Sequence, residues 1–202
     1  SSVVDVERIK PYQARWSQLV PSDDGLVDTG GGFEETLTET AVGWQHVQIM
    51  RTASGPVVTE RRVLDRHSLR PLSLERHIDN APEGAPVDMT LTLSDSSYKG
   101  EAVSASGDRK PFQYDIATPA FDGWVAGLTI AALPLAEGYQ ASLPVVIQLQ
   151  QSSYLLRLRV SGREEFATPA GQRVPVWVVD TEWIDTANGS RSPGGRSAFR
   201  ES

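Results

Sequence analysis

The densest group of side chains suited to anion binding is a run of arginines in the first half of the chain. Its members are Arg61, Arg62, Arg66, Arg70 and Arg76. Guanidinium groups bind carboxylates and phosphates through paired hydrogen bonds, so this run could hold an anionic head group or the carboxylates of a partner. The acidic residues Glu60, Asp65 and Glu75 interleave with the arginines. Ion pairs between neighbouring strands are therefore the alternative interpretation.

The three histidines, His46, His67 and His77, are the candidate metal ligands. His67 and His77 are ten residues apart in segments that we interpret as consecutive strands, so they could face each other across a sheet. Asp65 or Glu75 would then complete a mononuclear zinc or iron site. The helical HExxH spacing is absent, and isolated histidines on strands usually make structural hydrogen bonds. We predict neither a metal site nor a cofactor.

Asp180 and Glu182 would lie on the same side of a predicted strand, because side chains alternate along a strand. A pair of carboxylates can serve glycoside hydrolysis, in which their separation sets the stereochemical outcome. Solvated acids at the end of a strand are the alternative. The G-x-S-x-G motif of serine hydrolases is absent from the sequence. We assign no catalytic residue and keep an envelope hydrolase that uses acidic residues as an alternative function.

Residues 26–30 read Leu-Val-Asp-Thr-Gly, which is similar to the aspartic protease motif. That chemistry requires two carboxylates that share a proton. The other Asp-Thr pair, Asp180-Thr181, is followed by Glu182 rather than by the required glycine. We therefore interpret residues 29–32 as a glycine-rich turn between the first and second strands.

Tryptophan makes up a large share of the aromatic residues, with five Trp against five Phe and five Tyr. The five lie in predicted strands or in a predicted helix, at Trp16, Trp44, Trp124, Trp177 and Trp183. A curved sheet with aromatic side chains on one face could enclose an apolar ligand. An ordinary dry core is the alternative.

The composition excludes several classes of protein. The chain has 202 residues, with 19 Lys and Arg against 26 Asp and Glu, and a net charge of −7. This charge argues against a nucleic-acid partner, which requires clustered positive charge. The absence of cysteine excludes disulfides, thiolate catalysis and Cys-ligated metal centres. No run approaches the roughly 18 apolar residues of a membrane span, so we predict none.

The candidate residues lie in segments where apolar residues recur with a period of two, which is typical of strands. Every second residue is apolar over residues 87–93, and again over residues 143–149. About ten segments of this kind, mostly neighbours in antiparallel pairs, predict an all-β fold. We expect a single large curved antiparallel sheet that forms a half-barrel or a barrel.

One segment departs from this period. Phe121, Trp124, Val125 and Leu128 have the spacing of one face of a helix. Prolines lie on both sides of the segment, so we predict one short plug helix near residues 121–131. A short apolar helix in this position would cover one side of the curved sheet.

The chain contains no internal linker, so residues 1–184 are predicted to form a single antiparallel domain. Residues 185–202 contain Asn-Gly and Pro-Gly-Gly, which predicts a flexible C-terminal segment or the start of a final strand. The chain begins at Ser1 without methionine. We expect a removed signal peptide and a periplasmic or secreted location.

Three short motifs recur in the same order in a known family. They are Leu69-Arg70-Pro71, the Leu-Pro-Leu-x-x-Gly-Tyr segment at residues 133–139, and Thr-Pro-Ala-Gly at residues 168–171. Over about residues 10–184 the chain resembles the TapB-like bacterial envelope domains of unknown function. The resemblance implies a curved antiparallel half-barrel, distantly similar to periplasmic lipoprotein carriers that cover an apolar ligand with a sheet and a helical lid. It implies no catalytic residues.

Together these features predict a non-catalytic envelope protein that binds an apolar or lipid-like ligand in the concave face of the sheet. We expect ligand contacts from apolar residues and from a basic rim, namely Trp16, Trp44, Trp124, Leu128, Arg62, Arg66 and Arg70. The first alternative is a structural or assembly module that pairs with a protein partner through an exposed sheet edge. The second alternative is an envelope hydrolase that uses acidic residues.

Overall fold

The computed structural model describes residues 4–22, 25–168 and 171–200. In this part of the chain there are thirteen β-strands in two sheets and one short α-helix. The prediction of an all-β fold, with one large antiparallel sheet and a single short helix, is confirmed. The strands outnumber the roughly ten expected, and one of the additional strands, Phe121–Asp122, is too short to show alternation.

The larger sheet is a meander of eight strands, in which every strand pairs antiparallel with the next one along the chain. Its strands are β1 (Tyr12–Ser22), β2 (Gly25–Glu39), β3 (Gly43–Arg51), β4 (Val57–Asp65), β5 (Pro71–Asp79), β6 (Pro86–Leu93), β7 (Ser97–Ser104) and β8 (Arg109–Asp115). The strand order ends at β1 and β8, so this sheet is open within the described residues. The closed-barrel alternative is therefore wrong for these strands.

The smaller sheet has five strands, in the order β13-β12-β11-β10-β9. They are β9 (Phe121–Asp122), β10 (Gln140–Ile147), β11 (Ser152–Ala167), β12 (Arg173–Asp185) and β13 (Arg191–Arg200). The pairing of β9 with β10 is parallel, and the other pairs are antiparallel. The sequence predicted a single sheet because alternation reports which side of a strand is buried, not which strand lies beside it.

The predicted helix is confirmed. A 3-10 turn at Gly123–Val125 leads into α1 (Ala126–Ala131). Asp122 caps the turn, since its Oδ1 accepts a hydrogen bond from the Trp124 backbone N–H at 2.8 Å. No helix in the described part of the chain is long and apolar enough to cross a membrane.

The chain divides into two compact units, each with its own buried apolar side chains. The first comprises Lys10–His67 and Pro71–Asp115 and contains β1 to β8. The second comprises Ser1–Ile9, Ser68–Arg70 and Ile116–Ser202 and contains the smaller sheet and α1. Buried residues of the first unit include Leu37, Leu64, Leu74 and Leu91, and those of the second include Leu143, Leu156, Leu158 and Val179.

A tight turn and β13 occupy most of the described part of residues 185–202. The Gly189 N–H donates to the Asp185 carbonyl at 2.8 Å, and the Ser190 N–H donates to Asn188 Oδ1 at 2.7 Å. β13 then pairs with β12, from Val176 opposite Arg200 to Ile184 opposite Arg191. Of the Thr-Pro-Ala-Gly motif, Pro169 and Ala170 lie outside the described residues.

Candidate functional site

The register of the larger sheet decides which side chains share a face. Residues directly opposite each other in antiparallel strands point to the same side of the sheet. We call the side that carries Trp44, His46, Gln48 and Met50 of β3 the Trp44 face. Three of these four side chains are buried, and Met50 is half-buried. The site is built on this face.

An apolar row crosses five strands of the Trp44 face. Successive cross-strand partners form it, and its members are Trp16, Phe33, Met50, Val58 and Ile78. Trp16 is 51% exposed and stacks on Phe33 with ring centroids 5.8 Å apart. The other four side chains are half-buried. Neighbouring strands are about 4.8 Å apart, so the row is roughly 19 Å long.

Ionisable side chains lie beside the apolar row on the same face. We call Glu35, His46, Glu60, Arg62 and Arg76 the charge cluster. Register places Glu35 and Glu60 on either side of Gln48, and it places Arg76 opposite Glu60. Buried charges are costly unless they are paired and hydrogen-bonded, so the partners of each group decide what the cluster can do.

Glu60 is the shared acceptor of two arginines. Arg62 Nη2 donates to Glu60 Oε2, and both side chains are almost completely buried. Arg76 Nη1 is 3.2 Å from Glu60 Oε1. Arg62, which the sequence analysis placed at a ligand-binding rim, is therefore a buried partner of Glu60. Arg76 is the partner that reaches solvent.

Glu35 accepts hydrogen bonds from three side chains at the other side of the cluster. His46 Nε2 lies 3.2 Å from Glu35 Oε2, and Trp16 Nε1 donates to Glu35 Oε1 at 3.2 Å. Burial acts to raise the pKa of Glu35, but the hydrogen bonds from His46, Trp16 and Tyr12 and the charge of His46 hold this pKa below its ordinary value. Burial, together with the nearby Glu35 charge, raises the pKa of Tyr12. The phenol therefore stays protonated and donates to the carboxylate.

Two buried nitrogens next to these pairs have no hydrogen-bond partner within the described residues. They are Nε1 of Trp44 and Nδ1 of His46, which lie on alternate residues of β3. The face thus contains two buried ring nitrogens that no described residue satisfies.

The remaining arginines of the predicted run lie elsewhere. Arg61 is on the opposite face, where its Nη1 is 3.4 Å from Glu75 Oε2. Arg66 Nη1 is 3.1 Å from Glu39 Oε1. Arg70 is half-buried and belongs to the second unit. Much of the arginine run is thus engaged in ion pairs with acidic residues, which was the alternative to anion binding.

The predicted apolar contacts divide between the two units. Trp16 belongs to the apolar row, and Trp44 lies on the same face but is buried. Trp124 and Leu128 belong to the second unit, where Trp124 is half-exposed and Leu128 is half-buried. The larger sheet therefore brings Trp16 and Trp44 to one face, but only Trp16 is exposed there.

His67 and His77 do not face each other across the sheet. His67 lies in the turn after β4, whereas His77 lies on β5 opposite Thr59 and Asp88. His77 Nδ1 is 2.6 Å from Asp88 Oδ1, and its Nε2 is 3.2 Å from Asp79 Oδ1. These hydrogen bonds raise the pKa of His77. In the described residues, no group of three or more His, Asp or Glu side chains could hold a metal ion.

Asp180 and Glu182 lie on β12, where arginines surround them. Arg196 Nε is 3.9 Å from Asp180 Oδ1. Arg157 Nη1 and Arg191 Nη1 lie 3.8 Å and 3.7 Å from the two oxygens of Glu182. All five side chains are at least partly exposed to solvent. This arrangement matches the solvated acids that the sequence analysis gave as the alternative to a catalytic pair.

The Asp-Thr-Gly segment lies inside β2, not in the connection from β1. The register of the two strands shifts between Ser17 and Leu19, and Gly30 has φ of 72°. The Gly30 N–H donates to Asp28 Oδ1 at 2.8 Å, so the carboxylate binds its own backbone. The predicted turn at residues 29–32 is therefore wrong, because these glycines accommodate an irregularity within a strand pair.

One family matches most of the chain. The sequence model described as "Protein of unknown function (DUF3108)" matches residues 26–191. The chain belongs to this family. The DUF3108 match begins in β2 and ends at the first residue of β13. It therefore includes every member of the apolar row except Trp16, and strands β9 to β12 of the smaller sheet. No curated protein and no solved structure matches the chain.

Proposed function

We propose that this DUF3108 protein is a non-catalytic protein of the bacterial envelope that binds an apolar or lipid-like ligand on the Trp44 face. The observation that carries the proposal is the apolar row, which crosses five strands and is incompletely buried. The envelope location rests on the resemblance of the sequence to the TapB-like bacterial envelope domains.

The ligand would lie along the apolar row, across the strands. Burying an apolar chain there would contribute about 0.8 kcal/mol for each CH₂ group removed from water. Trp16 offers the largest exposed surface of the row, and the hydrogen bond from its Nε1 to Glu35 holds the indole in place. A fixed aromatic side chain binds a ligand with a smaller loss of conformational entropy than a mobile one.

Native mass spectrometry of the freshly purified protein, followed by organic extraction, is the first test. The proposal predicts an apolar adduct in stoichiometric amount, and extraction would give its chemical class. A bare 22.0 kDa mass, together with no binding of any lipophilic probe, would contradict the proposal.

A variant pair tests the location of the ligand. Trp16→Ala should lower the affinity for a lipophilic fluorescent probe about tenfold, because it removes the most exposed side chain of the row. Phe166→Ala is the matched control, since Phe166 is 52% exposed but lies on β11 of the second unit. Trp124→Ala tests the predicted helical contact separately. Equal losses in the Trp16 and Phe166 variants would contradict binding at the apolar row.

A second candidate function, pairing with a protein through a sheet edge, is favoured by β8. Within the described residues β8 pairs on one side only, with β7. An unpaired edge can accept an extended segment of another chain. An open groove of about 510 Å³ adjoins this edge, lined by Lys99, Gly100, Pro111, Phe112 and Gln113. Self-association measured by light scattering, and lost in Phe112→Glu, would support this function.

A further inference from the structure

We infer that the ligand is an amphiphile with an anionic head group, which the Arg76 guanidinium binds while the apolar chain lies along the apolar row. This inference rests on the proposed function and specifies the ligand class for the same site. It follows from the position of Arg76, from its exposure and from its hydrogen bonds.

Arg76 stands next to one end of the apolar row. It lies two residues before Ile78 on β5, and alternation places both side chains on the Trp44 face. Its cross-strand partners are Glu60 on β4 and Met89 on β6. A chain lying on Val58 and Ile78 therefore ends close to a guanidinium group.

Arg76 is the accessible member of its ion-pair group. Its side chain is 22% exposed, whereas those of Arg62 and Glu60 are 0% and 2% exposed. A ligand that approaches from solvent therefore meets the Arg76 guanidinium before it meets the Glu60 carboxylate. A cationic head group would be repelled at this point, and an anionic one would be attracted.

The hydrogen bonds of Arg76 leave a donor for the ligand. Nη1 is used by Glu60 Oε1, and Glu60 Oε2 already accepts from Arg62. Nε of Arg76 is buried and has no hydrogen-bond partner within the described residues. An arginine has five N–H donors in a fork that fits a carboxylate or a phosphate. Because the side chain is 22% exposed, a ligand oxygen can bind the exposed part of this fork, where Glu60 does not use every donor.

Two head groups share this chemistry, the carboxylate of a fatty acid and the phosphate of a phosphorylated lipid. The experiment therefore compares dodecanoate, dodecyl phosphate, dodecanol and dodecyltrimethylammonium by displacement of a lipophilic fluorescent probe from the full chain. Both anions should bind about tenfold to a hundredfold more tightly than dodecanol, as expected for a hydrogen bond with a charged group. The cation should bind no more tightly than the alcohol.

Arg76→Gln should remove the preference for the anions and leave dodecanol binding unchanged. Arg61→Gln is the matched control, because Arg61 lies on the neighbouring strand but on the opposite face. If Arg76→Gln does not fold, Arg76→Lys provides the test: lysine keeps a charge beside Glu60 but lacks the forked donors, so the preference for the anions should weaken. An unchanged preference for anions in Arg76→Lys would overturn the inference.

The outcomes separate this inference from the function on which it rests. Equal affinities for dodecanoate and dodecanol would overturn the anionic head group but leave apolar binding intact. No binding of any of the four amphiphiles would overturn both. Inorganic phosphate that displaces the probe as well as dodecyl phosphate does would show a site for a free anion, and it would overturn the amphiphile. A preference for one of the two anions would identify the head group.

Discussion

Glu35 illustrates how a single buried carboxylate can make the fold sensitive to acid. Its pKa is held below the ordinary value, so the folded protein binds fewer protons at this group than the unfolded chain does. The contribution of Glu35 to stability is therefore complete above the ordinary pKa of about 4.3, and it is lost as the pH falls through the lower folded pKa. Burial opposes this shift, but the three donors outweigh it.

We predict that Glu35→Gln lowers the free energy of unfolding by about 2 kcal/mol at pH 7, as hydrogen bonds to a charged group are lost. The difference from the unmodified chain should shrink as the pH falls below about 4.3. Denaturant unfolding across this pH range measures both quantities. Glu34→Gln is the control, because Glu34 is the exposed neighbour on the opposite face. A difference that stays constant with pH would contradict the role given to Glu35.

Arg62 and Arg61 form a pair of neighbouring arginines with opposite environments. Arg62 is fully buried against Glu60, whereas Arg61 is exposed and pairs with Glu75. We predict that Arg62→Met costs about 3–5 kcal/mol, because it leaves a buried carboxylate with fewer partners. Arg61→Met should change stability by less than about 0.5 kcal/mol. Similar midpoints of thermal unfolding for the two variants would contradict the buried pair.

At the scale of the element, the turn that leads into α1 depends on one glycine. A Cβ at Gly123 would lie 2.5 Å from Ile147 Cδ1 and 3.3 Å from the Trp183 ring. We predict that Gly123→Ala lowers stability by about 1–3 kcal/mol, because this contact forces packed side chains to move. Gly127, inside α1, has nothing within 4 Å of such a Cβ. Gly127→Ala should therefore raise stability by about 1 kcal/mol, and calorimetry of both variants measures the contrast.

The elements that the sequence predicted are those whose signals are local. Alternation identified strands such as β6, and the helical spacing between two prolines identified α1. The parallel pairing of β9 with β10 was missed because two residues carry no periodic signal. The segment at residues 29–32 was misplaced because glycines serve turns and strand irregularities equally well.

The candidate site was only partly predictable for a related reason. Arg62 was found as a basic residue, but its burial depends on Glu60, which lies two residues away on the same face of β4. Glu35 was not recognised as part of a site, because polar residues on strands usually face solvent. A signal was present, since on β3 the polar His46 and Gln48 fall in phase with the apolar Trp44 and Met50.

At the scale of the whole molecule, the division into two compact units makes the position of the ligand measurable. A ligand that binds only the folded state stabilises the unit that it contacts, and amide exchange slows where unfolding of that unit limits exchange. The apolar row and Arg76 lie wholly within the first unit. Trp124 and Leu128 lie wholly within the second.

We therefore predict that saturating dodecanoate slows amide exchange in peptides from β1 to β5 and leaves peptides covering residues 121–131 unchanged. Hydrogen exchange with mass spectrometry, with and without the ligand, measures this pattern. Trp16→Ala should reduce the slowing at the same ligand concentration, because it lowers the affinity at the row. Slowing centred on residues 121–131 would instead place the ligand on the helix, as the spacing of Trp124 and Leu128 first indicated. That outcome would contradict binding at the apolar row while leaving an apolar ligand in place.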